Sequence, residues 1–182
     1  MNTIFKTVRS SDVSISQLML PSHTNFSGKI HGGFILSLLD QIAFACASKF
    51  SGNYCVTASV DTVNFLRPIE VGELVLMKAS VNYVGKSSMI IGIRVEAENI
   101  QTGEINHCNS SYFTMVAKDK EGKNALVPGL ILSNFEEVRR FQNCLKQIAL
   151  KKERDSQKNT ADFGSIESIM NSNLYNVKLE LG

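Results

Sequence analysis

The stretch that decides the fold is Asn25–Phe50, with the sequence NFSGKIHGGFILSLLDQIAFACASKF. It opens as a polar loop containing glycines and continues as an apolar run. On a helical wheel of about 100° per residue, the apolar side chains of this run fall on one broad arc, which predicts a long helix with a core-facing surface. The arc consists of Ile35, Leu36, Leu38, Leu39, Ile42, Ala43, Cys46, Ala47 and Phe50.

The opposite stripe of the predicted helix is polar, and Asp40 is the only charge between Lys29 and Lys49. Aspartate is a poor residue for the middle of a helix because its short side chain competes for backbone hydrogen bonds. One interpretation is that Asp40 marks the solvated side. The other is that another element or another subunit covers the carboxylate, which would disfavour its charged form and make it a usable general base. The stripe consists of Gly33, Ser37, Asp40, Gln41, Phe44 and Ser48.

Gly32 and Gly33 lie where this helix is predicted to begin. The first N–H groups of a helix have no partner within it, and the helix dipole places partial positive charge there. Residues without a Cβ atom also let a carbonyl group approach closely. The pair therefore predicts an oxyanion hole, with an ordinary Gly-Gly turn as the alternative.

Composition limits the class of protein. The chain has 182 residues and a net charge of +2, which suits one domain and does not favour nucleic-acid binding. The N-terminus lacks the apolar region of a signal peptide, and Asp40 interrupts an apolar run too short to span a bilayer. We therefore expect a soluble, cytoplasmic protein without membrane insertion. Cys46, Cys55, Cys108 and Cys144 form no CxxC pair, so buried or idle thiols are expected rather than a metal site or a disulfide framework.

The remaining periodicity predicts an α+β protein in which one long helix packs against an antiparallel sheet. Because one helix covers only part of such a sheet, we expect a symmetric dimer at least. Strands are predicted within Ile4–Leu20 and over Tyr54–Leu66, Leu74–Val84, Met89–Glu98 and Ile105–Ala117, and a helix over Phe135–Glu153. The expected organisation is a domain over residues 1–118, a linker over 119–133, a C-terminal helix over 134–154 and a flexible or docking tail over 155–182.

Several motifs, in this order and spacing, resemble the hotdog-fold acyl-CoA thioesterases, above all the brain-type acyl-CoA hydrolases and their single-domain bacterial relatives. The resemblance covers about Val13 to Arg154. It is carried by Asn25-x-x-Gly28-x-x-His31-Gly32-Gly33, Leu38-Leu39-Asp40, Asn64-Phe65-Leu66-Arg67-Pro68 and Val71-Gly72-Glu73.

The resemblance implies a hotdog fold, in which an antiparallel sheet wraps a long central helix and two such domains pair edge to edge. It also implies assembly as a homodimer and further into a trimer of dimers. The implied activity is hydrolysis of acyl-CoA to free fatty acid and coenzyme A, in lipid metabolism. Coenzyme A is then part of the substrate, and no separate cofactor is expected. The implied active site lies at the dimer interface, with Asn25 from one subunit and Asp40 from the other.

We expect Asp40 to act as general base toward water, with direct attack by its carboxylate as the less favoured variant. The N–H group of Gly33, together with that of Gly32, would hold the oxyanion, and Asn25 would orient the water or the carbonyl. His31 either contacts the substrate or only shapes the loop. A metal ion is not expected in this site.

The phosphates of coenzyme A require donors near a turn, and Arg67 and Lys86, the latter followed by Ser87 and Ser88, are the candidates. The alternative is that Lys86 is a solvated hairpin charge and Arg67 packs against the helix. Two other functions stay open. One is hydration of an enoyl thioester on the same fold, and the other is a non-catalytic acyl-CoA sensor or scaffold.

Overall fold

A computed structural model describes residues 4–158, in which seven strands and two α-helices follow one another. Of the tail predicted over residues 155–182, residues 155–158 form the end of the second α-helix, and the remainder lies outside the described residues. The elements are β1 (Phe5–Thr7), a 3-10 helix (Val8–Ser11), β2 (Val13–Leu18), a 3-10 turn (Pro21–His23), α1 (Gly32–Ser51), β3 (Tyr54–Val60), β4 (Glu73–Val84), β5 (Ser88–Asn99), β6 (Glu104–Lys118), β7 (Gly129–Ile131) and α2 (Phe135–Lys158).

Five strands form one antiparallel sheet in the order β2-β4-β5-β6-β3, which curls around α1. Its register places Met77 between Ile15 and Val95, so that apolar side chains of neighbouring strands share the face toward α1. This confirms the predicted α+β hotdog layout. β1 and β7 form a separate parallel pair. The sequence analysis missed β7, because three residues after Pro128 are too few to show a period.

The core is built on one face of α1. Seven residues of the predicted arc are buried, and the sheet covers them on the facing side. By length and composition α1 could cross a membrane, but these side chains fill the interior of the domain instead. Leu36 was predicted to face the core and is 37% exposed, because the sheet covers a narrower arc than the apolar pattern spans. The buried residues are Ile35, Leu39, Ile42, Ala43, Cys46, Ala47 and Phe50.

β3 is shorter than predicted. It ends at Val60, and residues 61–72 run as an irregular segment instead of continuing the strand to Leu66. The alternation of polar and apolar residues continues past Val60, but β6 holds this segment through isolated hydrogen bonds. Asn109 Nδ2 donates to the Asn64 carbonyl at 2.9 Å, and the Leu66 N–H group donates to the Cys108 carbonyl at 2.9 Å.

Both ends of α1 are capped. At its start, His31 Nδ1 accepts a hydrogen bond from the Gly33 N–H group at 2.9 Å. At its end, Gly52 has a φ of 74°, in the left-handed region that glycine adopts readily, and its N–H group donates to the Ser48 carbonyl. The helix therefore begins at the glycines that predicted its start.

All four cysteines are buried and free, as the sequence analysis expected. Burial raises the pKa of the Cys46 thiol to about 12, and it does the same for the Cys144 thiol. Because the thiolate is the reactive form, these two side chains act as small apolar residues.

Replacing Phe50 by Ala tests the core. Phe50 is fully buried at the end of α1, so Phe50→Ala is expected to lower the free energy of unfolding by about 3–5 kcal/mol through lost transfer energy and a cavity. The matched control is Phe135→Ala, since Phe135 is exposed at the start of α2 and its loss should cost less than about 0.5 kcal/mol. Urea unfolding of both variants measures the difference, and equal losses would contradict this core.

Replacing His31 tests the cap of α1. His31→Ala removes the acceptor of the Gly33 N–H group and is expected to cost about 1 kcal/mol of stability in urea unfolding. His31→Asn, which supplies another capping acceptor at the same position, should recover most of that loss. If the two variants are equally stable, His31 does not act as a cap.

Candidate active site

Asp40 lies on the exposed stripe of α1, two turns from the start of the helix. No element within residues 4–158 covers its carboxylate, so a covering element would have to come from another chain. Thr57 of β3 donates its hydroxyl to Asp40 Oδ1 at 2.6 Å. This bond holds the carboxylate in one orientation. No donor among the described residues is hydrogen-bonded to Oδ2. Asp40 thus has one oxygen held by the protein and one directed to the surroundings.

Asn25 lies in the loop before α1 and organises it. Asn25 Oδ1 accepts hydrogen bonds from the Ser27 N–H group, the Ser27 hydroxyl and the Lys29 N–H group, at 2.9, 2.7 and 3.2 Å. The carboxamide oxygen is therefore used within the loop. Its Nδ2 group has no acceptor among residues 4–158, so the Asn25 amide can donate to a bound molecule.

The loop is fixed to the helix by His23. Its ring stacks on that of Phe34 with centroids 3.9 Å apart, and its carbonyl accepts from the His31 N–H group at 2.8 Å. His23 Nδ1 accepts from the Leu20 N–H group. These contacts hold the Asn25 loop beside the first turn of α1, so Asn25 and the two glycines belong to one local unit.

The two glycines differ in what they can do. A Cβ atom on Gly33 would lie 2.8 Å from the His31 ring, so the close approach of the capping imidazole requires glycine there. The same contact occupies the Gly33 N–H group. By contrast, the Gly32 N–H group has no acceptor among residues 4–158, and a Cβ atom on Gly32 would lie 3.4 Å from the Phe65 ring. Gly32 therefore carries the free donor, whereas Gly33 was the first candidate from sequence.

Gly33 and Asp40 lie well apart on the same face of α1. They are separated by seven residues, which at 1.5 Å per residue is about 10 Å along the axis.

The predicted coenzyme A contacts are dispersed. Arg67 Nη2 lies 3.5 Å from Glu73 Oε1, and Glu73 is buried, so Arg67 is engaged within its own chain. Lys86 is exposed on the turn between β4 and β5, with Ser87 and Ser88 beside it. Ser88 pairs with Val116, which places this turn near the C-terminal end of α1 and away from the glycines.

The sequence analysis missed Thr57. It followed the face of β3 that carries Val56, Ala58 and Val60, and Thr57 points to the other side. Threonine is common in strands, so the residue type of Thr57 does not indicate a functional role. Only the packing of β3 beside α1 shows that it contacts Asp40.

The surface around Asp40 is apolar, and we call it the α1–β3 patch. β3 is an edge strand of the sheet, with one side unpaired among the described residues. The rings of Phe44 and Tyr54 contact each other there with centroids 5.6 Å apart. A free strand edge beside an exposed apolar surface is typical of an interaction site. The patch consists of Leu36, Phe44, Tyr54, Val60, Phe65 and Leu66, all exposed.

Two relatives match most of the chain. Protein VdlD of Helicobacter pylori is 44% identical over 133 residues, which are 73% of this chain and 76% of VdlD. The uncharacterized acyl-CoA thioester hydrolase YkhA of Bacillus subtilis is 32% identical over 146 residues, which are 80% of this chain and 85% of YkhA. The thioesterase superfamily matches residues 27–104.

Two solved structures have the same fold. An apo-hexameric acyl-CoA thioesterase has a TM-score of 0.81 at 34% identity, over 84% of this chain and 97% of that chain. The acyl-CoA hydrolase of Staphylococcus aureus, in complex with butyryl coenzyme A, coenzyme A and coenzyme A disulfide, has a TM-score of 0.79 at 29% identity, over 91% of this chain and 99% of that chain.

Variants of the Staphylococcus aureus enzyme also have structures. Three variants each carry one substitution to alanine, of an Asn, an Asp and a Thr respectively. The Asp follows the Asn by 15 residues, and the Thr follows the Asp by 17. Asn25, Asp40 and Thr57 have the same residue types at the same spacing in this chain. Because the chain has the hotdog fold and matches YkhA over most of both lengths, it belongs to the acyl-CoA thioester hydrolases of the thioesterase superfamily.

Proposed function

We propose that this protein hydrolyses acyl-CoA thioesters to a free fatty acid and coenzyme A, with Asp40 as general base. The observation that carries the proposal is the hydrogen bond from Thr57 to Asp40 Oδ1, which presents Oδ2 at the surface. The matching Asn, Asp and Thr of the Staphylococcus aureus acyl-CoA hydrolase support it. The names of the relatives and of the bound coenzyme A ligands support the substrate class.

Each active site is shared by two copies of the chain. One copy supplies Asn25 and the glycines, and the other supplies Asp40 and Thr57, because the two groups are about 10 Å apart along one helix. The α1–β3 patch, with the free edge of β3, is the surface that a second copy would cover. Such a copy would also bury Asp40. The hexameric relative supports further assembly into a trimer of dimers.

The chemistry requires one water and no covalent intermediate. Asp40 Oδ2 takes a proton from water while the water oxygen attacks the thioester carbonyl carbon. The negative charge moves to the carbonyl oxygen, where the Gly32 N–H group and Asn25 Nδ2 donate hydrogen bonds. When the tetrahedral species collapses, the C–S bond breaks and the proton on Asp40 passes to the departing thiolate. Attack by the carboxylate itself is the less favoured variant.

Binding of the coenzyme A end draws on both copies. Within one chain the turn of Lys86, Ser87 and Ser88 lies away from the glycines. A two-fold axis across β3 reverses the direction of the second copy, so its turn would lie near the glycines of the first. Lys86 is exposed there and suits a phosphate contact, whereas Arg67 is already paired with Glu73.

Hydration of an enoyl thioester has less support. That reaction needs a histidine free to act beside an acid. His23 and His31 are both engaged in the loop and in the cap of α1, and His107 Nε2 contacts the Asn109 carbonyl and the Ser110 hydroxyl. A non-catalytic sensor would not need the Thr57–Asp40 bond.

A thiol-release assay over acyl-CoA chain lengths tests the base. Asp40→Asn is expected to lower kcat by about 10²–10⁴-fold, the usual contribution of a general base. Thr57→Val should lower kcat by about tenfold, the value of one hydrogen bond, while Thr57→Ser keeps the hydroxyl and most of the rate.

The control for the charge change is Asp155→Asn, on the exposed surface of α2, which should leave the rate unchanged. Full activity of Asp40→Asn would refute the proposed base. Tight binding of coenzyme A by the wild type, without any release of thiol, would support the sensor instead.

Mixing two inactive variants tests the shared site. Asn25→Asp keeps the oxygen that organises the loop and replaces the free Nδ2 donor, so it should lower kcat without unfolding the loop. After subunit exchange with Asp40→Asn, half of the dimers are hybrids, and each hybrid has one intact site. The mixture should therefore recover about a quarter of the wild-type rate by random pairing. Confirmed exchange without recovery would mean that both groups act from one chain.

A further inference from the structure

Glu73 is the only charged residue that the structure buries among residues 4–158, and the proposed chemistry does not use it. It opens β4 and is 5% exposed. Alternate residues of a strand share one face, so Glu73 lies on the inner face with the buried Val75 and Met77, where the pattern calls for an apolar side chain. Glutamate is rarely buried unless it is paired. Its contacts should therefore explain why an acid stands at this position.

The carboxylate of Glu73 holds the backbone that precedes it. Oε2 accepts a hydrogen bond from the Glu70 N–H group at 2.9 Å, whereas Oε1 lies 3.5 Å from Arg67 Nη2. The first distance is that of a good hydrogen bond and the second is beyond the usual range, so the contact with the N–H group is the stronger one. We call residues 67–72 the supporting segment. Glu73 thus fastens the middle of the supporting segment to the start of β4.

The end of the supporting segment is also fixed. The Gly72 N–H group donates to the Met19 carbonyl at 2.8 Å, and the Met19 N–H group donates to the Glu73 carbonyl at 2.9 Å. Gly72 has a φ of 88°, in the left-handed region that glycine adopts readily, so the chain can turn there into β4. The carboxylate of Glu73 therefore acts on a segment that already has one firm end.

The supporting segment touches the Asn25 loop at two places. The Ile69 carbonyl accepts from the Ile30 N–H group at 3.0 Å, and Glu70 Oε1 lies 2.6 Å from Lys29 Nζ. Ile30 and Ile69 are buried, whereas the side chains of Lys29 and Glu70 are nearly half exposed. Water screens the exposed ion pair, so the buried backbone bond is the firmer of the two contacts.

Ile30 lies between the two proposed oxyanion donors. After it come His31, which caps α1, and Gly32, whose N–H group has no acceptor among the described residues. Before it, the Lys29 N–H group donates to Asn25 Oδ1 at 3.2 Å, and the Lys29 carbonyl accepts from the Asn25 N–H group at 2.8 Å. A shift of Ile30 would therefore move both donors.

We propose that Glu73 is a positioning residue for these two donors, the amide of Asn25 and the N–H group of Gly32. Its carboxylate fixes the supporting segment, and the supporting segment fixes Ile30 between the donors. This inference rests on the proposed hydrolysis, in which the donors stabilise the oxyanion. Such donors work only when they are held at the place where the charge develops. Glu73 acts through the backbone and takes no part in the chemical step.

Three substitutions of Glu73 separate its hydrogen bond from its charge. Glu73→Gln keeps an acceptor oxygen at the same reach without the charge, Glu73→Asp keeps the carboxylate on a side chain one methylene shorter, and Glu73→Leu removes the acceptor at similar size. Glu73→Gln is expected to keep about half of kcat or more. Glu73→Asp and Glu73→Leu should lower kcat about tenfold and change KM by less than about twofold, because the donors act on the transition state.

The matched control is Glu98→Leu, which makes the same substitution on the neighbouring strand β5. Glu98 pairs with Leu74, so it lies on the outer face of the sheet, opposite to Glu73. Its kcat should equal that of the wild type. Thermal unfolding is measured for every variant. If Glu73→Leu does not fold, the comparison of Glu73→Gln with Glu73→Asp decides, since both keep a polar side chain that can pair.

Amide hydrogen exchange measures the same positioning without any substrate. The Ile30 and Lys29 N–H groups are both hydrogen-bonded, to the Ile69 carbonyl and to Asn25 Oδ1. In Glu73→Asp both should exchange about tenfold faster than in the wild type, while the amides of β5 keep their rates. In Glu73→Gln all should match the wild type. If the wild type releases no thiol, the proposed hydrolysis fails and this exchange alone decides the role of Glu73.

Two results would overturn the role of Glu73. One is wild-type exchange at Ile30 and Lys29 in Glu73→Asp, which would mean that the carboxylate does not hold the Asn25 loop. The other is a loss of kcat in Glu73→Gln as large as in Glu73→Asp, which would mean that the charge matters and the hydrogen bond to the Glu70 N–H group does not.

Discussion

The structure depends on burial of one face of α1 inside the curled sheet. Seven apolar side chains of that face are buried, and the four large ones, Ile35, Leu39, Ile42 and Phe50, each stabilise the fold by about 1.5–3 kcal/mol before entropy is counted. Because a helix is rigid, fixing this face also fixes the opposite one. Asp40 must then point away from the core, beside the edge strand β3, where Thr57 meets it. The same burial that stabilises the domain therefore positions its candidate base.

Helix geometry also supports the proposed second copy. Asp40 and Gly33 lie on one stripe of α1 but two turns apart, and the proposal assigns them to different active sites. The exposed α1–β3 patch gives a second copy an apolar surface to cover and a free strand edge to pair with. In the proposed dimer, catalysis and assembly use the same surface.

The outer face of the sheet has a different character. Where the inner face is apolar, the outer face under α2 carries four cations that share two carboxylates, together with a buried amide. Such an arrangement is unnecessary for holding α2 in place, since Phe141 and Tyr83 already pack there.

The sequence by itself determined the long helix, its start at the glycines and four long strands, because periodicity and glycine positions are local properties. Its resemblance to a known family indicated the motif residues Asn25 and Asp40. The sequence analysis extended β3 beyond its true end at Val60, and it missed β7. Neither the loss of strand pairing after Val60 nor a parallel pair of three residues leaves a pattern in the local sequence. Only the tertiary structure joined Thr57 to Asp40, gave the Gly33 N–H group to His31 and left that of Gly32 free. These contacts depend on how α1, the loop before it and the sheet pack together. The spacing of residues along the chain does not specify that packing.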